Sequence, residues 1–279
     1  MTKEKIIGID LGGTHVRAAI VQHGQAGPVT SQRINAYADT ATVLQQVFDN
    51  TDPLFTTAVK AIGIGFPGLA INGVAHDVYN IPSWTEVPLQ QLMQQRYKVP
   101  VQINNDANCF ALGEYYFGQG RGCNTMVGLA IGTGLGAGII LNQQLYSGKA
   151  GCAGEFGMMP YLDKFYEYYA SGQFFNNVYH IDGNRVFENA RAGDAAALHM
   201  YQQLGFHLGN AIKTIIYAVD PHLVILGGAV KNAYPYFKNA LWQQVQTIEL
   251  KKALQHFDIK VAELENSAIL GAAALHYNL

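Results

Sequence analysis

The sequence has few cysteines, and their positions exclude two common ways of cross-linking a fold. Three cysteines occur among 279 residues, Cys109, Cys123 and Cys152, and no two of them form a Cys-x-x-Cys motif. A disulfide framework or a zinc site built from cysteine thiolates is therefore not expected. The cysteine content instead predicts a protein of a reducing compartment.

The sequence also has little charge and no strongly basic stretch. Charged residues make up 14% of the chain and the formal net charge is -2, which argues against nucleic acid as a partner. No run of about 18 apolar residues occurs, so no transmembrane helix and no membrane partner are expected. The charged start "MTKEKIIGID" is not typical of a signal peptide. We therefore predict a cytoplasmic protein that binds small molecules through local geometry rather than through its overall charge.

What the sequence does contain is a pattern that occurs twice. Residues 5–34 and 124–146 each combine β-strand patterns with a glycine-rich turn, and helices alternate with strands after each of them. This self-similarity predicts an α/β fold with two related lobes that face each other across a cleft. We place an N-terminal lobe at residues 1–118, completed by a C-terminal helix at 267–279, and a C-terminal lobe at 119–266.

The two glycine turns are "DLGGT" (10–14) and "GTGLGAG" (132–138). Glycine permits tight hairpins anywhere, so one such turn has a purely structural explanation. Two turns near the starts of both halves favour a ligand instead, because exposed backbone N–H groups bind phosphate oxygens without net charge. We therefore predict a nucleotide at both turns. Asp10 is then expected to hold Mg²⁺ through water, the alternative being that its carboxylate only stabilises the turn.

Two better-known phosphate motifs are absent or incomplete. The sequence has no Gly-Lys-Ser/Thr that would mark a Walker A loop. Gly132, Gly134 and Ala137 match the G-x-G-x-x-A pattern of dinucleotide-binding proteins, but "AGIILNQQ" (137–144) predicts a strand where that motif requires a helix. Hydride transfer is disfavoured for this reason.

Asp106 is the candidate for acid–base chemistry. It follows a predicted strand at 99–104 and begins a predicted helix at 106–118, which places it at the edge where open α/β sheets bind ligands. An aspartate at a helix start is often an N-cap, and that alternative applies here too. The neighbouring Asn105 and the two phosphate turns favour the catalytic interpretation.

Six segments also carry a family resemblance: "DLGGT" (10–14), "IGIGFPG" (62–68), "NNDANCFALGE" (104–114), "GTGLGAG" (132–138), "GCAGEFG" (151–157) and "DPHLVILGGAV" (220–230). Their order and spacing resemble those of the ROK sugar kinases of the actin-like ATPase superfamily. The resemblance covers almost the whole chain. It implies a two-lobed actin-like ATPase (ribonuclease H-like) fold with an interdomain cleft, and transfer of the ATP γ-phosphoryl group to a hexose or N-acetylhexosamine. Mg²⁺ and a homodimer are expected on the same basis.

Carried over by position, the resemblance implies that Asp106 is the general base for the acceptor hydroxyl. The predicted sugar contacts are Gly68, Asn80, Asn105, Glu155 and Glu167. The predicted nucleotide contacts are Asp10, Gly12, Gly13, Thr14, Gly132, Thr133, Gly134, Gly136, Gly227 and Gly228, the last two at the adenosine edge.

The sequence departs from the family pattern just after Glu155. The family typically has a histidine where Met158 stands, followed by a cysteine-rich zinc motif, and residues 158–166 contain no cysteine. We therefore expect no structural zinc, and expect aromatic residues to pack the loop instead. These aromatic residues are Tyr161, Phe165, Tyr166, Tyr168 and Tyr169.

Met158 also leaves the sugar open, because a methionine donates no strong hydrogen bond. Glucose, phosphorylated at the 6-hydroxyl, is the first expectation. N-acetylmannosamine or N-acetylglucosamine is the alternative, since the N-acetyl methyl group suits a thioether. A non-catalytic sugar sensor is a further alternative. A transcriptional regulator is disfavoured, because "IGIDLGGT" starts at residue 7 and leaves no room before it for a helix-turn-helix.

Overall fold

A computed structural model describes residues 4–277 of the chain. The described residues cluster into two compact units, the first made of residues 4–122, 138–153 and 263–277, and the second of residues 123–137 and 154–262. The lobe ranges 1–118 and 119–266 stay predictions. Within residues 4–277, no helix is both long enough and apolar enough to span a bilayer.

The chain alternates strands and helices in both halves. As far as Phe117 the elements are β1 (Lys5–Leu11), β2 (His15–Gln22), β3 (Gln25–Ala26), β4 (Thr30–Arg33), α1 (Thr40–Thr51), β5 (Val59–Phe66), β6 (Leu69–Ile71), β7 (Val74–His76), β8 (Glu86–Val87), α2 (Leu89–Tyr97), β9 (Val101–Asn105) and α3 (Asp106–Phe117). They continue as β10 (Met126–Ile131), β11 (Leu135–Leu141), β12 (Gln144–Leu145), β13 (Pro160–Tyr161), β14 (Lys164–Phe165), α4 (Tyr166–Ala170), α5 (Phe174–Tyr179), α6 (Gly183–Arg191), α7 (Ala195–Val219), β15 (Leu223–Gly227), α8 (Tyr234–Val245), β16 (Asp258–Val261) and α9 (Ser267–Ala274).

The sheet of the first unit has the strand order β3-β2-β1-β5-β9, with β4 also paired to β2. β1 and β2 form the antiparallel hairpin predicted around the first glycine turn, while β5 runs parallel to both β1 and β9. Parallel strands are buried on both faces, and β5 is buried at seven of its eight residues. The three parallel strands therefore end at the same edge of the sheet.

The two faces of this sheet differ in side-chain size. Ile7 and Ile9 of β1, with Ile62 and Ile64 of β5, are fully buried and belong to one apolar core. On the other face, a Cβ added to Gly8 or Gly63 would overlap backbone carbonyl oxygens of α9. Because these glycines have no side chain, α9 packs directly on the backbone of the sheet.

Helices α3 and α9 approach each other in the same way. A Cβ on Gly113 would overlap the carbonyl oxygen of Ser267, and one on Gly271 would overlap that of Cys109. The side chains of Glu114 and Ser267 join the two helices through a buried hydrogen bond of 3.0 Å. The position of α3, and so of Asp106 at its start, depends on this close contact.

The second unit is built on the parallel strands β10, β15 and β16. They belong to a sheet of order β12-β11-β10-β15-β16, in which β11 pairs antiparallel with β12. Helix α7 begins after the cap Asp194, whose side chain accepts the N–H of Ala197 at 2.8 Å, and it ends at Asp220 in the left-handed conformation.

Several predicted boundaries shift by a few residues. The predicted helix at 106–118 ends at Phe117, and the predicted C-terminal helix ends at Ala274, where a 3-10 turn follows at Leu275–Tyr277. The last two residues of that prediction, 278 and 279, lie outside the described part. The hairpin β13–β14 and the short helices α5 and α6 were not among the predicted elements.

We predict that Gly271→Ala destabilises the protein by about 3 kcal/mol, as expected for an added methyl in a space already filled. This loss is expected although alanine favours a helix by about 1 kcal/mol over glycine. Urea denaturation measures it as a lower transition midpoint. Gly27→Ala is the control, because a Cβ there would meet only the carbonyl oxygen of Ile20, at 3.4 Å. Equal midpoints for the two variants would contradict the packing described for α9.

Candidate nucleotide and sugar site

One row of residues crosses the edge of the first sheet where the parallel strands end. Asp10 on β1 pairs with Gly65 on β5, and Gly65 pairs with Asn104 on β9. Neighbouring strands lie about 4.8 Å apart, so the two outer members of this row are about 10 Å apart. Asp106 follows two residues after Asn104. The topology therefore brings Asp10 and Asp106 to one edge, the edge at which open α/β sheets bind ligands.

At the start of α3, the residue that caps the helix is not the residue predicted to be the general base. Asn105, and not Asp106, is the N-cap residue: its Oδ1 accepts the N–H groups of Ala107 at 2.8 Å and of Asn108 at 3.3 Å. The Nδ2 of Asn105 donates to the carbonyl of Gly68 at 3.2 Å. Asp106 is the first helical residue, and its Oδ1 accepts the N–H of Ala107 at 2.8 Å. Because Asn105 already caps the helix, capping alone does not account for an aspartate at position 106.

Neighbouring groups hold the first glycine turn in place. The N–H of Gly12 donates to the carbonyl of His15 at 2.9 Å, and the side chain of Asn80 packs so closely over Gly13 that a Cβ there would overlap it. Thr14 is exposed. Asn80 thus supports the turn at Gly13.

Asp10 lies beside a cation. Arg17 on β2 is its cross-strand partner, with the guanidinium 3.8 Å from the Asp10 carboxylate. Burial raises the pKa of Asp10 above its ordinary value, and Arg17 acts in the opposite direction. The other arm of Arg17 hydrogen-bonds the Asn266 side chain just before α9.

The second glycine turn connects β10 to β11. The N–H of Gly172 donates to the carbonyl of Gly132 at 2.8 Å, and the side-chain amide of Gln173 donates to the carbonyl of Thr133 at 3.0 Å. The carboxylate of Glu167 accepts the N–H of Leu135 at 2.8 Å. Gly136 is placed in strand β11 rather than in the turn. The loop at 171–173 and helix α4 therefore hold the turn in place through these hydrogen bonds.

The end of β15 lies next to that turn. A Cβ on Gly228, whose φ is 76°, would overlap the carbonyl oxygen of Ile131, the residue before Gly132. A cavity of about 540 Å³ opens here, and Gly132 and Thr133 form part of its wall. Its other lining residues are Gly172, Gln173, Phe175, Asn176, Asp182, Gly183, Asn184, Phe187, Tyr201, Ala229, Val230, Asn232 and Ala233.

The second unit also holds the two predicted sugar-binding carboxylates, Glu155 and Glu167, and Met158. Burial raises the pKa of Glu155, and the nearby Glu167 raises it further. Met158 ends the 3-10 turn at Phe156–Met158 that Glu155 begins, and 55% of its surface is exposed. Among residues 4–277, no three His, Cys, Asp or Glu side chains are grouped so that they could hold a metal ion.

A family model described as "ROK family" matches residues 6–278, nearly the whole chain. The chain belongs to the ROK family. This ROK protein is 27% identical to a glucokinase of Thermotoga maritima, with 99% of this chain and 98% of that protein covered. It is also 27% identical to an N-acetyl-D-glucosamine kinase of Pasteurella multocida, with 96% and 98% covered.

A solved structure agrees with this assignment. A ROK family glucokinase from Streptomyces griseus, in complex with glucose and AMPPNP, matches this ROK protein with a TM-score of 0.81 at 26% identity, covering 97% of this chain and 98% of that chain. The family resemblance and the actin-like ATPase fold, both predicted from the sequence, are confirmed.

The predicted site residues fall into two groups. The first unit brings together Asp10, Gly12, Gly13, Thr14, Gly68, Asn80, Asn105 and Asp106. The second unit holds Gly132, Thr133, Gly134, Gly136, Glu155, Glu167, Gly227 and Gly228. Sequence reasoning missed the cavity walls supplied by α5, α6 and the 3-10 turn Ala229–Ala233. The only sequence signal for these segments was their position: α5 and α6 come after Gly172, and the 3-10 turn comes directly after Gly228.

We predict that Gly134→Ala weakens the affinity for a non-hydrolysable ATP analogue by about 10- to 100-fold. An added Cβ would lie 2.6 Å from the Glu167 carboxylate, so the charged hydrogen bond to Leu135 is lost. Such bonds contribute about 1.5–3 kcal/mol. Titration calorimetry measures the affinity, with Gly27→Ala as the control. Unchanged affinity would show that the turn does not depend on Glu167.

Proposed function

We propose that this ROK protein transfers the γ-phosphoryl group of ATP to the 6-hydroxyl of glucose. It is an ATP-dependent sugar kinase by its family, and the glucokinase and N-acetylglucosamine kinase relatives support that class. The observation that carries the proposal is the start of α3, where Asn105 caps the helix and Asp106 stands beside it at the ligand-binding edge of the sheet.

Asp106 acts as the general base. Phosphoryl transfer needs mainly alignment of the two reactants and neutralisation of charge, and one carboxylate takes the proton from the attacking hydroxyl. In this chain Asp106 sits on a helix that is packed backbone to backbone, so its position varies little. Gly68 and Asn105, which a hydrogen bond of 3.2 Å joins, are the sugar contacts we assign next to it.

The nucleotide is bound mainly by backbone groups. Turns with exposed N–H groups bind phosphate oxygens, which suits a chain with a net charge of -2. We assign the adenosine to the cavity of about 540 Å³, because the second glycine turn and the residues after Gly228 line it. Phe175, Phe187 and Tyr201 supply aromatic surface there.

Asp10 fits the requirements of a magnesium ligand. Mg²⁺ binds proteins through one or two carboxylates and keeps several waters, and a single carboxylate beside a phosphate turn meets that need. When bound, the ion neutralises charge that develops on the transferred phosphoryl group. Arg17, on the neighbouring strand, has its guanidinium 3.8 Å from the Asp10 carboxylate.

An N-acetylhexosamine is the second candidate substrate, and Met158 favours it. Its thioether is more than half exposed and follows Glu155 by three residues, so an apolar contact is available beside a predicted sugar-binding carboxylate. A free glucose hydroxyl gains nothing from that contact, whereas an N-acetyl methyl group does.

The direct test is ADP release over a panel of glucose, mannose, N-acetylglucosamine and N-acetylmannosamine. We expect sugar-dependent ADP release, with the highest kcat/KM for glucose. The matched variant Met158→His is expected to move the ratio between glucose and the N-acetylated sugars toward glucose by a factor of about ten or more. Tight sugar binding without ADP release would instead identify a sensor.

We predict that Asp106→Asn folds normally but lowers kcat by about 10²- to 10⁴-fold, because asparagine cannot accept the hydroxyl proton. The fold is expected to persist since Asn105 provides the cap. Thermal unfolding and calorimetric sugar binding serve as controls, and both are expected to stay close to wild type. Turnover within a few fold of wild type would remove Asp106 from the base role.

A further inference from the structure

An aromatic cluster surrounds one half-buried histidine in the second unit. It consists of His207 on α7 and of Tyr161, Tyr169 and Phe174, whose ring centroids lie 5.7, 5.2 and 5.5 Å from that of the imidazole. Burial lowers the pKa of His207 to about 4, so the imidazole is neutral at physiological pH. None of the candidate roles assigned above uses this histidine.

A directed chain of hydrogen bonds runs through this cluster. Nδ2 of Asn210 donates to the carbonyl of Phe206 at 3.0 Å, and a carbonyl can only accept, which fixes the orientation of this amide. The same Nδ2 donates to the hydroxyl of Tyr161 at 3.1 Å, and Oδ1 accepts from Gln244 at 2.7 Å. The hydroxyl of Tyr161, which accepts from Asn210, has its own proton to donate to Nδ1 of His207, 3.1 Å away, and we assign the bond in that direction. The neutral imidazole then carries its hydrogen on Nε2.

The cluster is connected to helix α4. The ring of Tyr161 stacks on that of Tyr166, with centroids 4.4 Å apart and an interplanar angle of 16°. Tyr166 is the first residue of α4, and its hydroxyl hydrogen-bonds Thr214 of α7 at 2.7 Å. The next residue is Glu167, whose carboxylate accepts the N–H of Leu135 beside the second glycine turn. The stacked ring and that carboxylate therefore belong to adjacent residues.

We propose that Tyr161 and His207 are positioning residues, whose mutual hydrogen bond sets the orientation of α4 and thereby holds Glu167 against the second glycine turn. Helix α4 has only five residues, too few to be stable on its own, so its orientation depends on side-chain contacts. The part of this proposal that concerns catalysis rests on the proposed function and on the prediction from the family resemblance that Glu167 contacts the sugar.

The test uses three substitutions in the full-length protein. Tyr161→Phe removes the hydroxyl and keeps the ring, while His207→Leu removes the acceptor. His207→Asn is the conservative variant, because its Oδ1 takes a place similar to that of Nδ1. His199→Leu, an exposed histidine on the same helix, is the matched control.

The first measurement is hydrogen–deuterium exchange, which does not depend on activity. We expect Tyr161→Phe and His207→Leu to speed exchange of the amides at 132–135 and in α4, with His207→Asn and His199→Leu close to wild type. The second measurement separates KM from kcat. The first two variants are expected to raise the KM for the phosphorylated sugar roughly two- to tenfold, the range for one neutral hydrogen bond, with a smaller change in kcat.

Two results would overturn the proposal. One is a lower unfolding temperature in Tyr161→Phe and His207→Leu with unchanged exchange at 132–135, which would make the hydrogen bond purely structural. The other is a His207→Asn variant that behaves like His207→Leu, since the acceptor would then not be what matters. Absence of sugar phosphorylation by the wild type would reject the proposed function alone, and the exchange measurement would still decide the role of Tyr161 and His207.

Discussion

Contact of backbone with backbone is the constraint on which the first unit depends. Gly8 and Gly63 let α9 lie directly on the sheet, and Gly113 and Gly271 let α3 lie directly on α9. Such contacts leave no room for rearrangement, because protein interiors are close-packed and a single added methyl group is felt. Asp106 begins α3 and Asp10 lies near the end of β1. The same small residues that close the core thus fix the carboxylates at the edge of the sheet.

Polar side chains support the two glycine turns by packing against them or by hydrogen-bonding their backbone. Asn80 packs over Gly13 in the first unit, and Glu167 accepts the N–H of Leu135 in the second. A turn whose N–H groups are to bind phosphate has to be rigid before the ligand arrives, because ordering it on binding would cost affinity. Under the proposed function, this arrangement lets a chain with a net charge of -2 bind a polyanion.

The sequence was most informative where structure is local. The strand predicted at 99–104 is β9, Val101–Asn105, and the helix predicted at 106–118 is α3, Asp106–Phe117, because the apolar residues and the residues that flank them are contained within each segment. The hairpin β13–β14 and helix α5 have no such period. Tyr161 hydrogen-bonds His207, 46 positions along the chain, so its role depends on contacts that no local pattern encodes.

The start of α3 shows a second limit of sequence reasoning. Asn105 and Asp106 are adjacent and both are favourable caps, so the sequence alone could not decide which of them caps the helix. The backbone decides it, since Asn105 is extended with ψ 147° and Asp106 is already helical. The cavity beside the second glycine turn was missed for a related reason, because residues from α5, α6 and α7 line it together.

The division of the first unit into three segments has a consequence for the order of folding during translation. Helix α9 covers Gly8 and Gly63 of the sheet, yet it is made about 260 and about 210 residues after them, which is about 10 to 50 seconds later at ordinary ribosome speeds. Until then, the nascent strands β1 and β5 keep one face uncovered. The second unit, made of residues 123–137 and 154–262, is fully synthesised before α9 emerges. The half of the protein that begins first is therefore the half that is completed last.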